Sequence, residues 1–179
     1  MKDKIKIAEA VRSCRKGDSS AMKFLYDIFA KEMLTLSYRI TGNLKDAEDI
    51  IQESFIHAFS VIGQLKDDEH FGPWLKRIVL NNSLKRIKKR QIHVPLNDDH
   101  SEQTDQVGTW YESIPFFRVQ EAIQNLPNGC REVLSLYLLD DYKHREIAEM
   151  LEISISTSKS QYLYGLKMLR NNLKSHANE

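Results

Sequence analysis

The chain of 179 residues has few of the residues that interrupt helices, with only four prolines and seven glycines. This scarcity favours a helix-rich globular protein over a fold built from many turns. The sequence also has only two cysteines, Cys14 and Cys130, which are far apart and outside any CxxC motif. We therefore expect both thiols to be reduced and buried or half-buried, in a cytosolic protein.

Long apolar runs are absent as well, since no segment approaches the roughly 18 continuous apolar residues of a membrane span. The first residues lack the apolar centre of a signal peptide, so we expect a cytoplasmic protein without membrane insertion. The sequence has no GxGxxG, P-loop, nucleophile elbow or HExxH motif. Asp49, Glu53 and His57 recur at helical spacing, but no second cluster of ligands supports a metal site. We expect no enzymatic activity, no cofactor and no metal.

The net charge of +1 conceals an uneven distribution of charge along the chain. Residues 1–90 carry 18 Lys and Arg against 12 Asp and Glu, whereas residues 91–118 carry 1 against 5 and residues 119–179 carry 7 against 8. A basic first half indicates an anionic partner for that part of the chain.

Apolar residues recur with helical periodicity over most of the chain, and no strand pattern is visible. Residues 91–115 differ, because they are acidic and polar and contain two prolines and a glycine. Such a composition is typical of a flexible linker. The sequence therefore predicts an all-α protein with two small helical domains, 1–90 and 116–179, joined by a linker at 91–115.

The predicted helix DAEDIIQESF has a polar, mostly acidic surface opposite its apolar stripe. Acidic residues near a helix N-terminus also stabilise the helix dipole, which accounts for the first three of them without any partner. Gln52 and Glu53, which the helix dipole does not account for, favour a docking surface for a basic protein. The surface comprises Asp46, Glu48, Asp49, Gln52 and Glu53.

The segment KRIVLNNSLKRIKKR contains seven Lys and Arg and no acidic residue. Surface helices usually mix charges of both signs, so an unbroken basic face favours a polyanion, although a merely solvating face is the alternative. The polar loop before it, Gln64 to Phe71, has side chains suited to the edges of unstacked bases.

The stretch EIAEMLEISISTSKSQYLYGLKML predicts two helices separated by a short turn. We expect Ser156 or Thr157 to cap the second helix. In a helix-turn-helix the start of the second helix contacts base edges in the major groove, whereas the alternative is an ordinary helical hairpin. We expect this helix to direct outward, or along its edges, Ser158, Lys159, Gln161 and Tyr164. The side chains placed to hold phosphates are Lys143, Arg145, Lys167 and Arg170.

Together, DAEDIIQESFIHAF, FGPWLKRIVLNN with its basic tail, LPxxxREVL and EIAEMLEISISTSKSQ resemble the extracytoplasmic-function (ECF) group of sigma-70-type bacterial sigma factors. The likeness covers nearly the whole chain, in the order of the family. It implies a subunit that binds core RNA polymerase and directs it to promoter DNA, and that an anti-sigma factor commonly holds inactive. It also implies that the first domain is sigma region 2 and the second is sigma region 4.

The resemblance assigns roles to individual residues. The polymerase contact would comprise Asp46, Glu48, Asp49, Gln52 and Glu53. A flipped base of the −10 element would be held by the loop that contains Gln64, Asp67 and His70. The DNA backbone would be held by Lys76, Arg77, Lys85, Arg86, Lys88 and Lys89. The −35 major groove would face Arg145, Thr157, Lys159, Ser160, Gln161 and Tyr164.

The chain departs from the family pattern at two places in the helix-turn-helix. Glu152 stands where the family often has glycine, which predicts a different or strained turn. Gln161 and Tyr164 stand where the family often has arginine, so the phosphate contact should be weaker and the base preference altered. The alternative functions are a helix-turn-helix regulator that ignores polymerase, and a pure protein-interaction adaptor.

Overall fold

The computed structural model describes residues 2–91 and 115–175, and its regular elements there are all helical. This confirms the all-α prediction. A five-residue π-helical segment, Ser135–Leu139, continues one of the helices, and two 3₁₀ turns, Ile62–Gln64 and Asp68–His70, join two others. The α-helices of the described ranges are α1 Lys2–Cys14, α2 Ser19–Thr41, α3 Leu44–Ser60, α4 Phe71–Gln91, α5 Phe116–Gln124, α6 Asn128–Leu134, α7 His144–Leu151 and α8 Ile155–Ser175.

The chain divides into two compact units, Met1–Ile87 and Lys88–Glu179. The division falls in the last turn of α4, close to the domain limit expected at residue 90. Of the predicted linker 91–115, residues 92–114 lie outside the described part of the chain, as do residues 176–179, and Gln91 is the last residue of α4. The two units are therefore described separately.

Helix α2 begins at a capping aspartate and ends at a glycine. The Asp18 carboxylate accepts hydrogen bonds from the backbone N–H groups of Ser20 and Ala21, at 2.9 and 3.3 Å. At the other end Gly42 adopts φ 63°, and its N–H donates to the carbonyl of Tyr38 at 2.8 Å. A residue without a Cβ takes this left-handed conformation readily, so the helix stops there.

The core of the first unit combines large apolar side chains with small buried hydroxyls. Apolar residues of α1 to α4 form one cluster, against which Trp74 is partly buried. The hydroxyls of Ser83 and Ser37 lie within hydrogen-bond distance at 3.0 Å, and the amide of Asn82 donates to the hydroxyl of Ser54 at 2.9 Å. These bonds join α4 to α2 and to α3, because buried polar groups need partners. They fix the rotation of α4 and hence the direction of its basic residues.

In the second unit the long helix α8 packs on α5, α6 and α7. Gly165 allows α8 to approach α6 closely, since a Cβ atom at this position would lie 2.7 Å from Cδ1 of Leu134. Helix α6 continues without a break into the π-helical segment Ser135–Leu139. The core of this unit is formed by buried residues that include Ile123, Val133, Leu136, Ile147, Leu151, Leu166 and Leu169.

Candidate functional site

The outer face of α3 is acidic, whereas its opposite face packs in the core. Its inward stripe consists of Ala47, Ile50, Ile51, Ser54, Phe55 and Ala58, all buried. Four of the five predicted docking residues are exposed, at helical spacings of three and four residues. The acidic surface of α3, as the structure has it, comprises Glu48, Asp49, Gln52 and Glu53.

Asp46, the fifth predicted docking residue, is paired within the unit instead. Its carboxylate oxygen lies 2.9 Å from Nη1 of Arg86 on α4, and the side chains of Asp46 and Arg86 are only 15% and 28% exposed. Glu53, 65% exposed, lies 3.8 Å from the same guanidinium group. The structure thus pairs a predicted polymerase contact with a predicted DNA contact.

Ile56 extends the acidic surface of α3 and was missed by the analysis of the sequence. It is 71% exposed, the largest exposure among the exposed large hydrophobic residues of the described chain. It follows Gln52 by four residues and Glu53 by three, so it lies beside them on the helix. Its position off the inward stripe is the signal by which the sequence could have identified it.

The loop between α3 and α4 is held in shape by its own side chains. One oxygen of Asp67 accepts a hydrogen bond from the N–H of Glu69 at 3.0 Å, and the other lies 2.9 Å from Nδ1 of His70. Asp67 therefore caps the second 3₁₀ turn. Gln64 and His70 are exposed, and the side chain of His70 is 69% exposed where it contacts Asp67. The three loop residues assigned to base contact, Gln64, Asp67 and His70, are therefore all exposed.

The basic residues of α4 differ in how much of each side chain reaches solvent. Arg77, Lys85 and Lys89 are exposed, whereas the other three assigned residues are half-buried. The half-buried group includes Arg86, whose guanidinium is held by Asp46. The predicted basic face is therefore present on α4, with three exposed cations among the side chains that the structure describes there. The half-buried residues are Lys76, Arg86 and Lys88.

The helix-turn-helix is formed by α7 and α8. The backbone N–H of Lys143 donates to the carboxylate of Glu146 at 2.8 Å, which satisfies a free donor at the start of α7. The turn passes through Glu152, which has φ 57° and ψ 40°, the strained left-handed conformation predicted for a non-glycine residue here.

The prediction that Ser156 or Thr157 caps α8 is wrong. The hydroxyl of Ser154 accepts a hydrogen bond from the N–H of Thr157 at 2.9 Å, and α8 begins at Ile155. The reason is the spacing, because a capping side chain bonds the N–H two or three residues after it. Ser154 lies three residues before Thr157, and its hydroxyl also lies 2.7 Å from those of Ser156 and Thr157.

The residues predicted to face the major groove differ in how exposed they are to solvent. Arg145 is 84% exposed and lies 3.6 Å from Glu149 on α7, and Lys159 and Tyr164 on α8 are exposed. Thr157, Ser160 and Gln161 are half-buried.

Gln161 lies against α6 of the same unit. A Cβ atom at Gly129 would come within 2.5 Å of its amide nitrogen, so the bare backbone of Gly129 makes room for this side chain. The contact orients Gln161 along the edge of α8.

The prediction that Ser158 points outward is wrong, since this side chain is fully buried. Its hydroxyl lies 3.0 Å from Nδ1 of His144, the first residue of α7. The imidazole also stacks on the ring of Tyr137 and meets the ring of Tyr162 edge-on, with centroid distances of 4.6 and 5.3 Å. Burial, followed by the positive charge of Lys159, lowers the pKa of His144. A neutral imidazole thus fastens the start of α7 to α8.

Both cysteines are free and buried, as predicted, with Cys14 in the first unit and Cys130 in the second. Burial raises the pKa of both thiols, that of Cys130 to about 11. Within residues 2–91 and 115–175, no group of three or more His, Cys, Asp or Glu could hold a metal ion. No helix in the same ranges is long and apolar enough to cross a membrane.

Two family models match the chain, sigma-70 region 2 over residues 25–92 and sigma-70 region 4 over residues 116–169. The ECF RNA polymerase sigma factor SigW of Bacillus subtilis is 31% identical, over 94% of this chain and 97% of its own length. The ECF RNA polymerase sigma-E factor of Haemophilus influenzae is 24% identical, over 91% and 93% of the two chains.

Among solved structures, CnrH in complex with the cytosolic domain of CnrY is similar, with a TM-score of 0.51, 18% identity and coverage of 95% of this chain and 98% of that chain. This likeness concerns the fold. The family models and the relatives agree with the order of the acidic helix, the basic helix and the helix-turn-helix along this chain. The chain therefore belongs to the ECF group of the sigma-70 family, and it is an alternative sigma factor that binds RNA polymerase and directs transcription initiation from promoter DNA.

Proposed function

We propose that this sigma factor docks on core RNA polymerase through the acidic surface of α3 extended by Ile56. The observation that carries the proposal is that four neighbouring polar residues are exposed on one face, with net negative charge and an exposed apolar side chain beside them. Such a surface fits a basic protein element that offers some apolar area, since an apolar anchor among charges is typical of a protein interface.

We further propose that residues 1–90 act on the −10 element and residues 116–179 on the −35 element. Exposed cations on Arg77, Lys85 and Lys89 suit the DNA backbone, while Gln64 and His70 suit an unstacked base. On the helix-turn-helix, Arg145, Lys159 and Tyr164 are the exposed contacts and Gln161 the edge contact. Half-buried residues would assist these contacts, namely Lys76, Lys88, Thr157 and Ser160.

Asp46 and Arg86 take a different part in this proposal. Because each is held by the other, they fix α3 against α4 and act on both partners indirectly. The protein performs no chemistry of its own here, since the energy of binding polymerase and DNA drives the opening of the promoter. Such a role places it in the cytoplasm, with its polymerase.

An anti-sigma factor is the remaining proposed partner. A sigma factor of similar fold, RpoE, was solved with the anti-sigma factor NepR from Bartonella quintana, at 18% identity and a TM-score of 0.50. A protein that covers the acidic surface of α3 or the outer face of α8 would hold this chain inactive by competition with polymerase or DNA.

The docking proposal is tested by mixing the purified full chain with bacterial core RNA polymerase and separating the mixture by size-exclusion chromatography. The Asp49→Lys/Glu53→Lys variant should no longer co-elute, because it places two cations on the acidic surface of α3. The matched control is Glu9→Lys/Glu32→Lys, which makes the same change of charge at exposed positions on α1 and α2 and should still co-elute. Co-elution of both variants would refute the assignment of the docking surface.

A further inference from the structure

Arg15 follows the end of α1 and reaches across to the loop between α3 and α4. Its Nη2 atom donates to the carbonyl oxygen of Leu65 at 2.7 Å, and its Nε atom donates to that of Ile62 at 3.5 Å. The same Nη2 lies 2.7 Å from a carboxylate oxygen of Asp68. One guanidinium group thus holds three points of a seven-residue stretch.

The contacts of Arg15 enclose the residues proposed to hold an unstacked base. Gln64 lies between the two bonded carbonyls in sequence, and Asp67 directly precedes Asp68. The side chains of Ile62 and Leu65 are buried, at 4% and 6% exposure, so the foot of the loop is anchored in the core. The guanidinium then connects that foot to the second 3₁₀ turn, which begins at Asp68.

The planar guanidinium suits this task better than any other cationic side chain. It offers several donors in a fixed arrangement, whereas a lysine ammonium would act as a single point charge. The Arg15 and Asp68 side chains are 31% and 18% exposed, so water competes only in part for their hydrogen bonds. The loop is therefore braced before any DNA arrives, which lowers the entropy cost of holding a base in one orientation.

We propose that Arg15 is a positioning residue that sets base preference at the −10 element through the Ile62–Asp68 loop. The inference depends on the proposed role of that loop and deepens it. Arg15 itself touches the carbonyls and Asp68, and it acts on the base through Gln64. Its loss should therefore change which base is preferred at one position, rather than weaken all promoters equally.

The test uses holoenzyme reconstituted from the full chain and bacterial core RNA polymerase. It transcribes a library of duplex templates with randomised −10 and −35 segments, each template identified by a transcribed barcode. Arg15→Ala should reduce the preference at the best-selected −10 position by about fivefold, the size expected from loss of one to two hydrogen bonds. Preference at the −35 positions should remain that of the parent.

Four variants accompany Arg15→Ala. Arg15→Lys keeps the charge without the guanidinium geometry, and Asp68→Asn removes the ion pair while the carbonyl contacts remain; both should give an intermediate loss of preference. Arg12→Ala removes an exposed arginine from the same end of α1 and should behave as the parent. Gln64→Ala reports on the loop itself. Thermal unfolding followed by circular dichroism establishes that each variant is folded.

An equal fall in transcription from every template, with the −10 preference intact, would show that Arg15 only stabilises the fold and would overturn the inference. If Arg15→Ala fails to fold, Arg15→Lys and Asp68→Asn decide, because an unchanged preference in both overturns it. If Gln64→Ala abolishes the −10 preference but the arginine variants keep it, the inference about Arg15 is refuted and the proposed role of the loop stands. If neither Gln64→Ala nor the arginine variants change the −10 preference, the proposed role of the loop is refuted.

Discussion

At the scale of single residues, the ion pair between Asp46 and Arg86 shows how a helix surface can be misassigned from its charge. The sequence gives both side chains an outward function, because each lies on a polar face. The structure instead places their charges 2.9 Å apart and largely out of solvent. The pattern of charges along a single helix does not show that a charged residue forty positions away in the sequence will be its partner.

Asp46→Ala should lower the free energy of unfolding by about 1 to 2 kcal/mol, since it leaves a largely enclosed guanidinium without its acid. The matched control Glu48→Ala, on the exposed part of α3, should change it by less than about 0.5 kcal/mol. Urea denaturation followed by circular dichroism provides the comparison. Equal effects of the two substitutions would contradict the structural role of the ion pair.

His144 gives the second unit a pH dependence whose sign follows from its environment. In the folded protein its pKa lies below the ordinary value of 6.5, chiefly through burial, so the unfolded chain takes up the proton first as pH falls. The stability contributed by neutral His144 is complete above pH 6.5 and is progressively lost as pH falls through the lower folded-state pKa.

We therefore expect the parent to lose more stability than His144→Gln between about pH 7 and about pH 5. Glutamine can still bond the hydroxyl of Ser158 but does not titrate in this range. Thermal unfolding of the two full chains across that range supplies the measurement, and the difference between them isolates His144 from the other histidines. Parallel curves would mean that protonation of His144 is not coupled to folding.

At the scale of elements, the start of α8 depends on one hydroxyl. Ser154→Ala should destabilise the helix-turn-helix by about 1 kcal/mol, because the N–H of Thr157 loses its acceptor. Ser156→Ala, two residues later and exposed, should have a clearly smaller effect. Hydrogen exchange at the Thr157 amide distinguishes the two, since only the loss of Ser154 should speed it. Faster exchange of the Thr157 amide in Ser156→Ala, without a change in Ser154→Ala, would contradict the assignment of Ser154 as the cap.

The elements also show where reasoning from sequence succeeds. Glu152 adopts a left-handed conformation at the position where the resemblance to the family predicts a different or strained turn, because the family often has glycine there. The cap of α8 and the π-helical end of α6 were missed. Three serines and a threonine within residues 154–158 offer several capping registers, and a π-helical segment arises from tertiary packing that periodicity does not record.

At the scale of the whole molecule, the sequence predicts the all-helical class, the order of the motifs and the family. It does so because acidic helix, basic helix and helix-turn-helix occur in one order along the chain. It does not predict which polar residues remain exposed in the folded protein and can contact polymerase or DNA. Ser158 is buried under His144, and Gln161 lies against Gly129, since both depend on helices that meet only after folding.

The placement of the two thiols has a consequence for experiments on the unmodified chain. Each compact unit contains one buried cysteine, and the raised pKa of each keeps it in the unreactive protonated form. Alkylation by a small reagent must therefore wait for the surrounding unit to open, so its rate reports the free energy of that opening. The two thiols therefore report separately on the opening of the two units. Identical alkylation rates at Cys14 and Cys130 would mean that both units open together.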